Sequence, residues 1–335
     1  MKNKRILLIL TGGTFGMKEG VSSNTLGPGA VDGDYILKSV PEVKQLAELE
    51  WVSICNLDSS DISCAHWENI GRTIQDNYPK YDGFVIIHGT DTMSYSATAL
   101  SFIMKGTEKP VLFTGSQRPL AKIRSDAREN FINAIEFSTQ NIPELCISFG
   151  SELFRANRAR KTSVDNYRAF RSYNFPSLAT VGVNLELKKD LLRKSMKPEW
   201  TYGFDTGIIL LKIFPGLDAD VLHASLTDGK YRGVILQAFG AGNLPKFDRS
   251  WLSLVMDLTK KGIPTIITSQ CNQGSVDLSA YENGQKAMES GAISCNDITT
   301  EACVVKLMFG LNHYKKYEDL IDFMKKDYCG EMTSL

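Results

Sequence analysis

Short apolar runs rich in β-branched residues recur along the chain, each bounded by glycine or by polar turn residues. The runs cover residues 6–10, 83–87, 111–113, 145–149, 208–213, 234–236 and 265–268. Runs of this length are typical of β-strands that are buried on both faces. The pattern therefore predicts strands at these positions.

Apolar residues between several of these runs recur at intervals of three and four residues. One set is Ala97, Leu100 and Met104, and another is Phe131, Ala134, Ile135 and Phe137. This spacing places apolar side chains on one face of a helix. Strands that alternate with helices predict an α/β fold whose parallel sheets are covered on both faces.

A segment rich in charge and turn residues separates two such alternating halves. Residues 186–207 carry little of the apolar pattern seen on either side. We therefore predict an N-terminal catalytic α/β domain over 1–185, a linker over 186–207 and a C-terminal α/β domain over 208–335.

The composition is that of an ordinary globular protein, with 43% hydrophobic and 23% charged residues. The 38 Lys and Arg residues balance 38 Asp and Glu residues, so no excess charge indicates nucleic acid or an anionic membrane as partner. No apolar stretch approaches the roughly 20 residues of a membrane span, and the run at 6–10 is shorter than the apolar part of a signal peptide. We expect a cytoplasmic protein with a small-molecule partner.

The seven cysteines and four histidines are scattered without the spacing of a metal site or a disulfide framework. The phosphate loop G-x-x-x-x-G-K-[ST] is absent, and no G-x-G-x-x-G follows a predicted strand. We therefore expect reduced cysteines, no metal and no cofactor.

Small and hydroxyl-bearing residues follow four of the predicted strands. They form TGGTFGM (11–17), HGTDT (88–92), TGSQRP (114–119) and, after a polar loop, NRARK (157–161). Because ligands bind at the carboxyl ends of parallel strands, we expect these loops to line one pocket. Each loop alone is also compatible with a tight turn or a helix cap, and Thr92 is expected to cap the following helix.

Threonine and lysine are the candidate catalytic residue types, since the G-x-S-x-G motif of many serine hydrolases is absent. A threonine hydroxyl needs a base, and lysine can serve only where its pKa falls below the usual value of about 10.4. Lys161 and Asp91 are candidates for such a coupled set. The alternative for Lys161 is a solvated residue in a loop that also carries three arginines, and His88 is expected to be structural.

Six motifs together resemble the bacterial-type L-asparaginases, specifically the cytoplasmic type I branch. They are TGGTFGM, DSSD (58–61), HGTDTM, TGSQRPL, RSDARENF (124–131) and GAGN (240–243), in the order of the family. The resemblance implies the two-domain asparaginase fold, with a larger N-terminal domain built on a parallel or mixed sheet with flanking helices and a smaller C-terminal α/β domain. It also implies hydrolysis of the side-chain amide of L-asparagine, without metal or organic cofactor, by a homodimer or homotetramer.

The resemblance also implies catalytic roles. Thr14 matches the primary nucleophile of the family, on a loop that closes over the substrate. Thr90 matches a second catalytic threonine, which Lys161 polarises and beside which Asp91 lies. Whether the reaction passes through an acyl-enzyme or through direct attack of water stays open.

Substrate-binding roles follow from the same resemblance. Asp91 matches the residue that holds the α-amino group, and Ser59 matches the residue that holds the α-carboxylate. Asn243 matches the residue that reaches the pocket of a neighbouring subunit. The further substrate-binding candidates are Asp58, Ser60, Gly89 and Ser116.

The sequence departs from the family pattern at two places. The tyrosine that interacts with the first catalytic threonine has no counterpart in 20–31, where Leu26 stands near its position. Some type I members also bind asparagine at an allosteric site, where this chain has Gln237 for an arginine and Arg160 for a threonine but retains the cysteine, Cys271. We therefore expect no allosteric site of that form.

Three alternatives remain. A glutaminase-asparaginase acts on a substrate that is longer by one methylene, which no motif resolves. The asparaginase-like subunit of the archaeal glutamyl-tRNA amidotransferase carries an extra domain before its TGGT, whereas TGGT starts at residue 11 here, so we expect the asparaginase. A non-catalytic amino-acid-binding protein would need neither Thr14 nor Lys161.

Overall fold

The computed structural model describes residues 3–16, 18–20, 23–27, 32–245 and 250–333, with only the backbone described for 18–20 and 23–27. The chain forms two compact units, Met1–Tyr202 and Gly203–Leu335. Each unit is described by itself. Part of the segment predicted as a linker forms short strands within the first unit, at Leu185–Leu187 and Glu199–Trp200. The division into 1–185, 186–207 and 208–335 stays a prediction.

The first unit combines many short strands with a few helices. Its strands are β1 (Arg5–Gly12), β2 (Lys18–Gly20), β3 (Ser23–Gly27), β4 (Glu48–Leu57), β5 (Gly83–Ile87), β6 (Met104–Lys105), β7 (Val111–Thr114), β8 (Leu145–Phe149), β9 (Glu152–Arg155), β10 (Arg160–Lys161), β11 (Phe170–Arg171), β12 (Ala179–Val181), β13 (Leu185–Leu187) and β14 (Glu199–Trp200). Its α-helices are α1 (Gly33–Ser39), α2 (Cys64–Asn77), α3 (Met93–Ile103) and α4 (Ala127–Ser138). Single 3-10 turns lie at Thr14–Gly16, Pro41–Gln45, Ser59–Asp61, Ala156–Arg158 and Lys189–Leu191.

The main sheet of the first unit has the strand order β13, β12, β9, β8, β7, β5, β1, β4. The strands from β8 to β4 in this order are parallel, and β9, β12 and β13 pair antiparallel. The four N-terminal apolar runs lie in β1, β5, β7 and β8, whose side chains are almost all buried. The mixed α/β sheet with flanking helices is therefore confirmed.

The two helical patterns fall on α3 and α4. In α4, Phe131, Ala134, Ile135 and Phe137 are all buried, as their spacing predicts. Met104 lies one residue beyond the end of α3 and belongs to β6 instead. The apolar pattern therefore overshoots this helix by one position.

The site region is set by a reversal in strand order. After β1 the chain adds β4 on one side of β1 and then β5 on the other side. In such sheets a crevice opens between the loops that leave the two adjacent strands at their carboxyl ends. The loops that follow β1 and β5 therefore meet at this point.

The second unit has a four-stranded parallel sheet in the order β15, β16, β17, β18. Its strands are β15 (Ile208–Lys212), β16 (Gly233–Ala238), β17 (Thr265–Ser269) and β18 (Ala292–Ser294). Its helices are α5 (Ala219–Thr227), α6 (Ser250–Lys260), α7 (Glu282–Glu289), α8 (Thr300–His313) and α9 (Tyr317–Lys325). The three C-terminal apolar runs fall on β15, β16 and β17. Within the described ranges, no helix has the length and apolar character to cross a bilayer.

Candidate active site

Glycines allow three loops to touch at the strand reversal. Gly13 follows β1 with φ at +79°, and a Cβ atom there would lie 2.4 Å from the Cα atom of Gly89. A Cβ atom on Gly89 would lie 2.6 Å from the Cβ atom of Ser59. The backbone N–H of Gly13 also donates to the Leu57 carbonyl at 2.9 Å. The loops that follow β1, β4 and β5 are therefore in contact.

The close approach at Gly13 predicts that Gly13→Ala moves the loop that carries Thr14. The positive φ costs alanine about 1–2 kcal/mol, and the contact with Gly89 displaces backbone rather than a flexible side chain. We expect kcat to fall about 100-fold, since a shift of about 1 Å can have that effect. Initial rates measure the fall in kcat, and chemical unfolding measures the loss of stability.

Gly229→Ala is the matched control for this substitution. Gly229 has φ at +88°, but no atom lies within 4 Å of its added Cβ. This variant should lose about 1 kcal/mol of stability and keep its kcat. Equal rates for Gly13→Ala and the wild-type protein would contradict the close approach.

Lys161 joins two candidates that lie 71 and 70 residues away in the chain. Its Nζ donates to Thr90 Oγ1 at 2.8 Å and to Asp91 Oδ1 at 2.6 Å. The Lys161 side chain is 16% exposed and that of Asp91 is 64% exposed, while Thr90 is buried. A hydroxyl, an ammonium and a carboxylate thus meet at the carboxyl edge of the sheet. The solvated alternative for Lys161 is wrong.

Two of the three arginines near Lys161, Arg155 and Arg158, are buried. The Arg155 guanidinium binds the Glu144 carboxylate at 2.8 and 3.1 Å, and both side chains are buried. Its central carbon also lies 4.2 Å from the ring centre of Phe175. Arg158 is 3% exposed. The loop before Lys161 is therefore ordered by buried contacts, which place the lysine.

His88 lies beside Thr90 in sequence but has a structural environment. Its Nδ1 lies 2.7 Å from the Gly89 carbonyl, and its ring packs edge-on against Phe113. Complete burial lowers the pKa of His88 to about 4, so the ring is neutral near pH 7. The expectation of a structural histidine agrees with this environment.

The Thr14 turn is anchored through its neighbour. Phe15 is buried and packs edge-on against Phe131, with ring centres 5.9 Å apart. The Phe15 carbonyl accepts the N–H of Leu120 at 3.1 Å. Thr14 itself is half-buried. Met17 of the TGGTFGM motif and the side chain of Leu26 lie outside the described residues.

Ser59 is packed beneath the HGTDT loop. It is buried, and its carbonyl accepts the Thr92 hydroxyl at 2.6 Å. Thr92 occupies the N-cap position of α3 but makes no side-chain cap bond. The predicted capping role is therefore wrong, because the Thr92 hydroxyl is used to hold the neighbouring loop.

The remaining substrate-binding candidates have different environments. Asp58 accepts the N–H of Ser60 at 2.9 Å and its hydroxyl at 2.7 Å, and these bonds lower the pKa of the Asp58 carboxyl. Ser60 itself is exposed, and Gly89 is buried. Ser116 is buried without a hydrogen-bond partner for its hydroxyl among the described residues. Asn243 belongs to the second unit, where its backbone pairs with Phe239 across a tight turn.

Two residues of the site were missed from the sequence. Gln117 contacts Thr90, and its own backbone N–H is held by the Asp126 carboxylate at 2.9 and 3.1 Å. Asp126 also accepts the N–H of Arg118 and an N–H of the Asn130 side chain, each at 3.1 Å. Burial raises the pKa of Asp126, and these donors oppose the rise. Both residues lie in motifs quoted from the sequence, TGSQRPL and RSDARENF, but neither was assigned a role there.

The side chains that commonly ligate metals are dispersed in the described part of the chain. No group of three or more His, Cys, Asp or Glu side chains there is placed to hold a metal ion. The polar side chains that contact one another around Thr90 are the Lys161 amine, the Asp91 carboxylate and the Gln117 amide.

These features define a two-domain α/β protein with a threonine-lysine-aspartate cluster at the strand reversal of its larger sheet. Family models agree with both halves: the model for the N-terminal domain of asparaginase matches residues 5–193, and the model for the C-terminal domain of glutaminase and asparaginase matches residues 207–324. The chain belongs to the asparaginase family.

Individual relatives extend over nearly the whole chain. The L-asparaginase 1 of Escherichia coli strain K12 is 33% identical over an alignment of 347 positions, which covers 99% of each chain. The thermostable L-asparaginase from Thermococcus kodakarensis superimposes with a TM-score of 0.92 at 32% identity, covering 99% of this chain and all of that one. L-asparaginase I from Vibrio cholerae superimposes with a TM-score of 0.90 at 35% identity, again covering 99% of this chain and all of that one.

Proposed function

We propose that this protein hydrolyses the side-chain amide of L-asparagine to L-aspartate and ammonia. The observation that carries the proposal is the contact of Lys161 Nζ with both Thr90 Oγ1 and Asp91 Oδ1. Amide hydrolysis needs a nucleophile and a route for a proton to the leaving nitrogen. A hydroxyl hydrogen-bonded to a lysine supplies such a route.

In the proposed reaction Thr14 is the primary nucleophile. Its hydroxyl oxygen gives up its proton and bonds to the amide carbon, and the carbon–nitrogen bond breaks. The nitrogen leaves as ammonia after it receives a proton through Thr90 and Lys161, and the proton that Thr14 released balances the one delivered to the nitrogen. Water then hydrolyses the ester on Thr14 and releases aspartate. Direct attack of water on the amide would use Thr90 and Lys161 in the same way, and Thr14 would then orient the amide.

Substrate binding is assigned to groups around this cluster. Asp91, whose carboxylate is largely exposed, holds the α-amino group, and Ser59 holds the α-carboxylate. Backbone N–H groups near Gly89 and Ser116 stabilise the oxyanion, where one donor is typically worth about 10²–10³ in rate. The proposal includes a homodimer or homotetramer in which Asn243 serves the pocket of a neighbouring subunit, and a cytoplasmic location.

Ammonia release from L-asparagine and from L-glutamine, each titrated from micromolar to tens of millimolar, tests the proposal. A higher kcat/KM for asparagine supports the asparaginase. Comparable values for both substrates would make the protein a glutaminase-asparaginase, because the two amides differ by one methylene. If neither substrate released ammonia, the result would favour a non-catalytic amino-acid-binding protein.

We expect a hyperbolic dependence of rate on asparagine concentration. The Gln237 side chain, which stands where an allosteric arginine occurs in some relatives, donates to the Ser269 carbonyl and to Thr300 Oγ1, each at 3.3 Å. An amide engaged in this way offers no cation to a second asparagine carboxylate. Initial rates that fit a Hill coefficient near 1 agree with this prediction, and sigmoidal curves would contradict it.

A further inference from the structure

Gln117 connects the Thr90 hydroxyl to the loop that follows Lys161. Its Oε1 lies 3.3 Å from Thr90 Oγ1, and its Nε2 donates to the carbonyls of Ser163 and Asn166 at 3.2 and 3.3 Å. Only the nitrogen of the amide can donate to two carbonyls, so these contacts fix its orientation. The oxygen of the amide, which can only accept, therefore faces Thr90.

The hydrogen bonds around Thr90 then have a defined direction. Lys161 Nζ donates to Thr90 Oγ1 at 2.8 Å, so the hydroxyl proton does not lie between these two atoms. Gln117 Oε1 accepts that proton. A hydroxyl with one fixed donor and one fixed acceptor has a fixed torsion about its carbon–oxygen bond.

We propose that Gln117 is a positioning residue, which accepts the Thr90 proton in the resting site and so keeps Thr90 Oγ1 aligned with Lys161. The inference rests on the proposed function, in which Thr90 and Lys161 carry a proton. A separation of 3.3 Å is long for an O–H···O bond, as is common for catalytic hydrogen bonds before substrate binds. The backbone N–H of Gln117 donates to both oxygens of the Asp126 carboxylate, which fixes the point from which the Gln117 side chain extends.

Gln117→Met tests this role because it keeps the length of the side chain and removes both polar atoms. We expect kcat for L-asparagine to fall about 10- to 100-fold, since the Thr90 hydroxyl is then free to rotate. KM should change less than about threefold, because Gln117 is not among the groups assigned to the α-amino and α-carboxylate. Enzyme from a host that lacks asparaginases permits the low rates to be measured.

A double-mutant cycle separates positioning from loop anchoring. In a Thr90→Val background there is no hydroxyl to orient, so Gln117→Met should change the residual kcat by less than about twofold. If Gln117 only anchors the 163–166 loop, the substitution lowers kcat by the same factor in both backgrounds. Equal factors, or an unchanged kcat in the single variant, overturn the positioning role and leave the asparaginase function intact.

Gln117→Glu supplies a second variant in which only the acceptor oxygen is retained. It loses the amide donor to the 163–166 loop, as Gln117→Met does, but it can still accept from Thr90. We expect its kcat to exceed that of Gln117→Met by at least about fivefold, because a carboxylate is a strong acceptor. No recovery overturns the inference, and no ammonia release by the wild-type protein overturns the proposed function together with it.

Discussion

Thr14→Ala and Thr90→Val are each expected to lower kcat for L-asparagine by at least about 10³-fold while the fold stays intact. In the proposed reaction the first substitution removes the attacking oxygen. The second removes the hydroxyl that lies 2.8 Å from Lys161 Nζ, and valine fills the same buried volume. Steady-state ammonia release at saturating L-asparagine measures kcat, and thermal unfolding checks that both variants fold.

Thr11→Val is the matched control for these two substitutions. Thr11 is also buried, and its hydroxyl donates to the Ile87 carbonyl at 3.0 Å within the sheet. Its loss should cost about 1 kcal/mol of stability and change kcat by less than about threefold. Rates near wild type for Thr14→Ala or Thr90→Val would rule out the assigned roles, whatever the control does.

The strands of the main sheet differ in how well the sequence predicts them. Central strands such as β5 and β7 are buried on both faces, so they stand out as apolar runs. β4 lies at the edge of the sheet, and all ten of its residues are exposed or half-buried. An edge strand is formed by backbone pairing with β1 rather than by burial of its side chains, and hydrophobicity alone therefore misses it.

The residues of the candidate site also differ in how well the sequence predicts their roles. Thr90, Asp91 and Lys161 lie in motifs that follow predicted strands, and the resemblance to the asparaginases implied their catalytic roles. The structure brings their side chains together. Gln117 and Asp126 also lie in quoted motifs, TGSQRPL and RSDARENF, but their roles were missed because the contacts that orient Gln117 are made with backbone N–H and carbonyl groups, which no pattern of side chains encodes. Sequence motifs thus indicate the catalytic residues more readily than the residues that position them.

The second unit contains a buried ion pair that the sequence analysis did not predict. Lys306 in α8 and Glu331 near the C-terminus are both fully buried, with Nζ 2.6 Å from Oε1. Lys306 also donates to the Lys326 carbonyl at 2.5 Å, and Glu331 accepts the N–H of Cys329 at 2.7 Å. The pair therefore fixes the segment that follows α9 to the core of the second unit.

Protonation of Glu331 should weaken this attachment. Burial alone would raise the pKa of Glu331, but the charge and hydrogen bond of Lys306 and the N–H of Cys329 lower it to about 2 from an ordinary value of 4.5. A lowered pKa means that the stabilisation is complete above about pH 4.5 and is lost as the pH falls towards 2. The pair therefore stabilises the fold fully near neutral pH.

Lys306→Met is expected to lower the free energy of unfolding by about 3–5 kcal/mol near pH 7, because it leaves the Glu331 carboxylate buried without its cation.

Lys286→Met is the matched control. It breaks the exposed pair with Glu282, 2.6 Å apart on one face of α7, and should cost less than about 0.5 kcal/mol of stability. Chemical unfolding of both variants and the wild-type protein, repeated from pH 7 down to 3, measures the differences. The gap between wild type and Lys306→Met should narrow as the pH falls below 4.5, because the wild-type protein then loses the contribution of the pair as Glu331 takes up a proton, whereas the variant has no pair to lose. A loss for Lys306→Met no larger than that of the control would show that the buried pair contributes no more to stability than an exposed one.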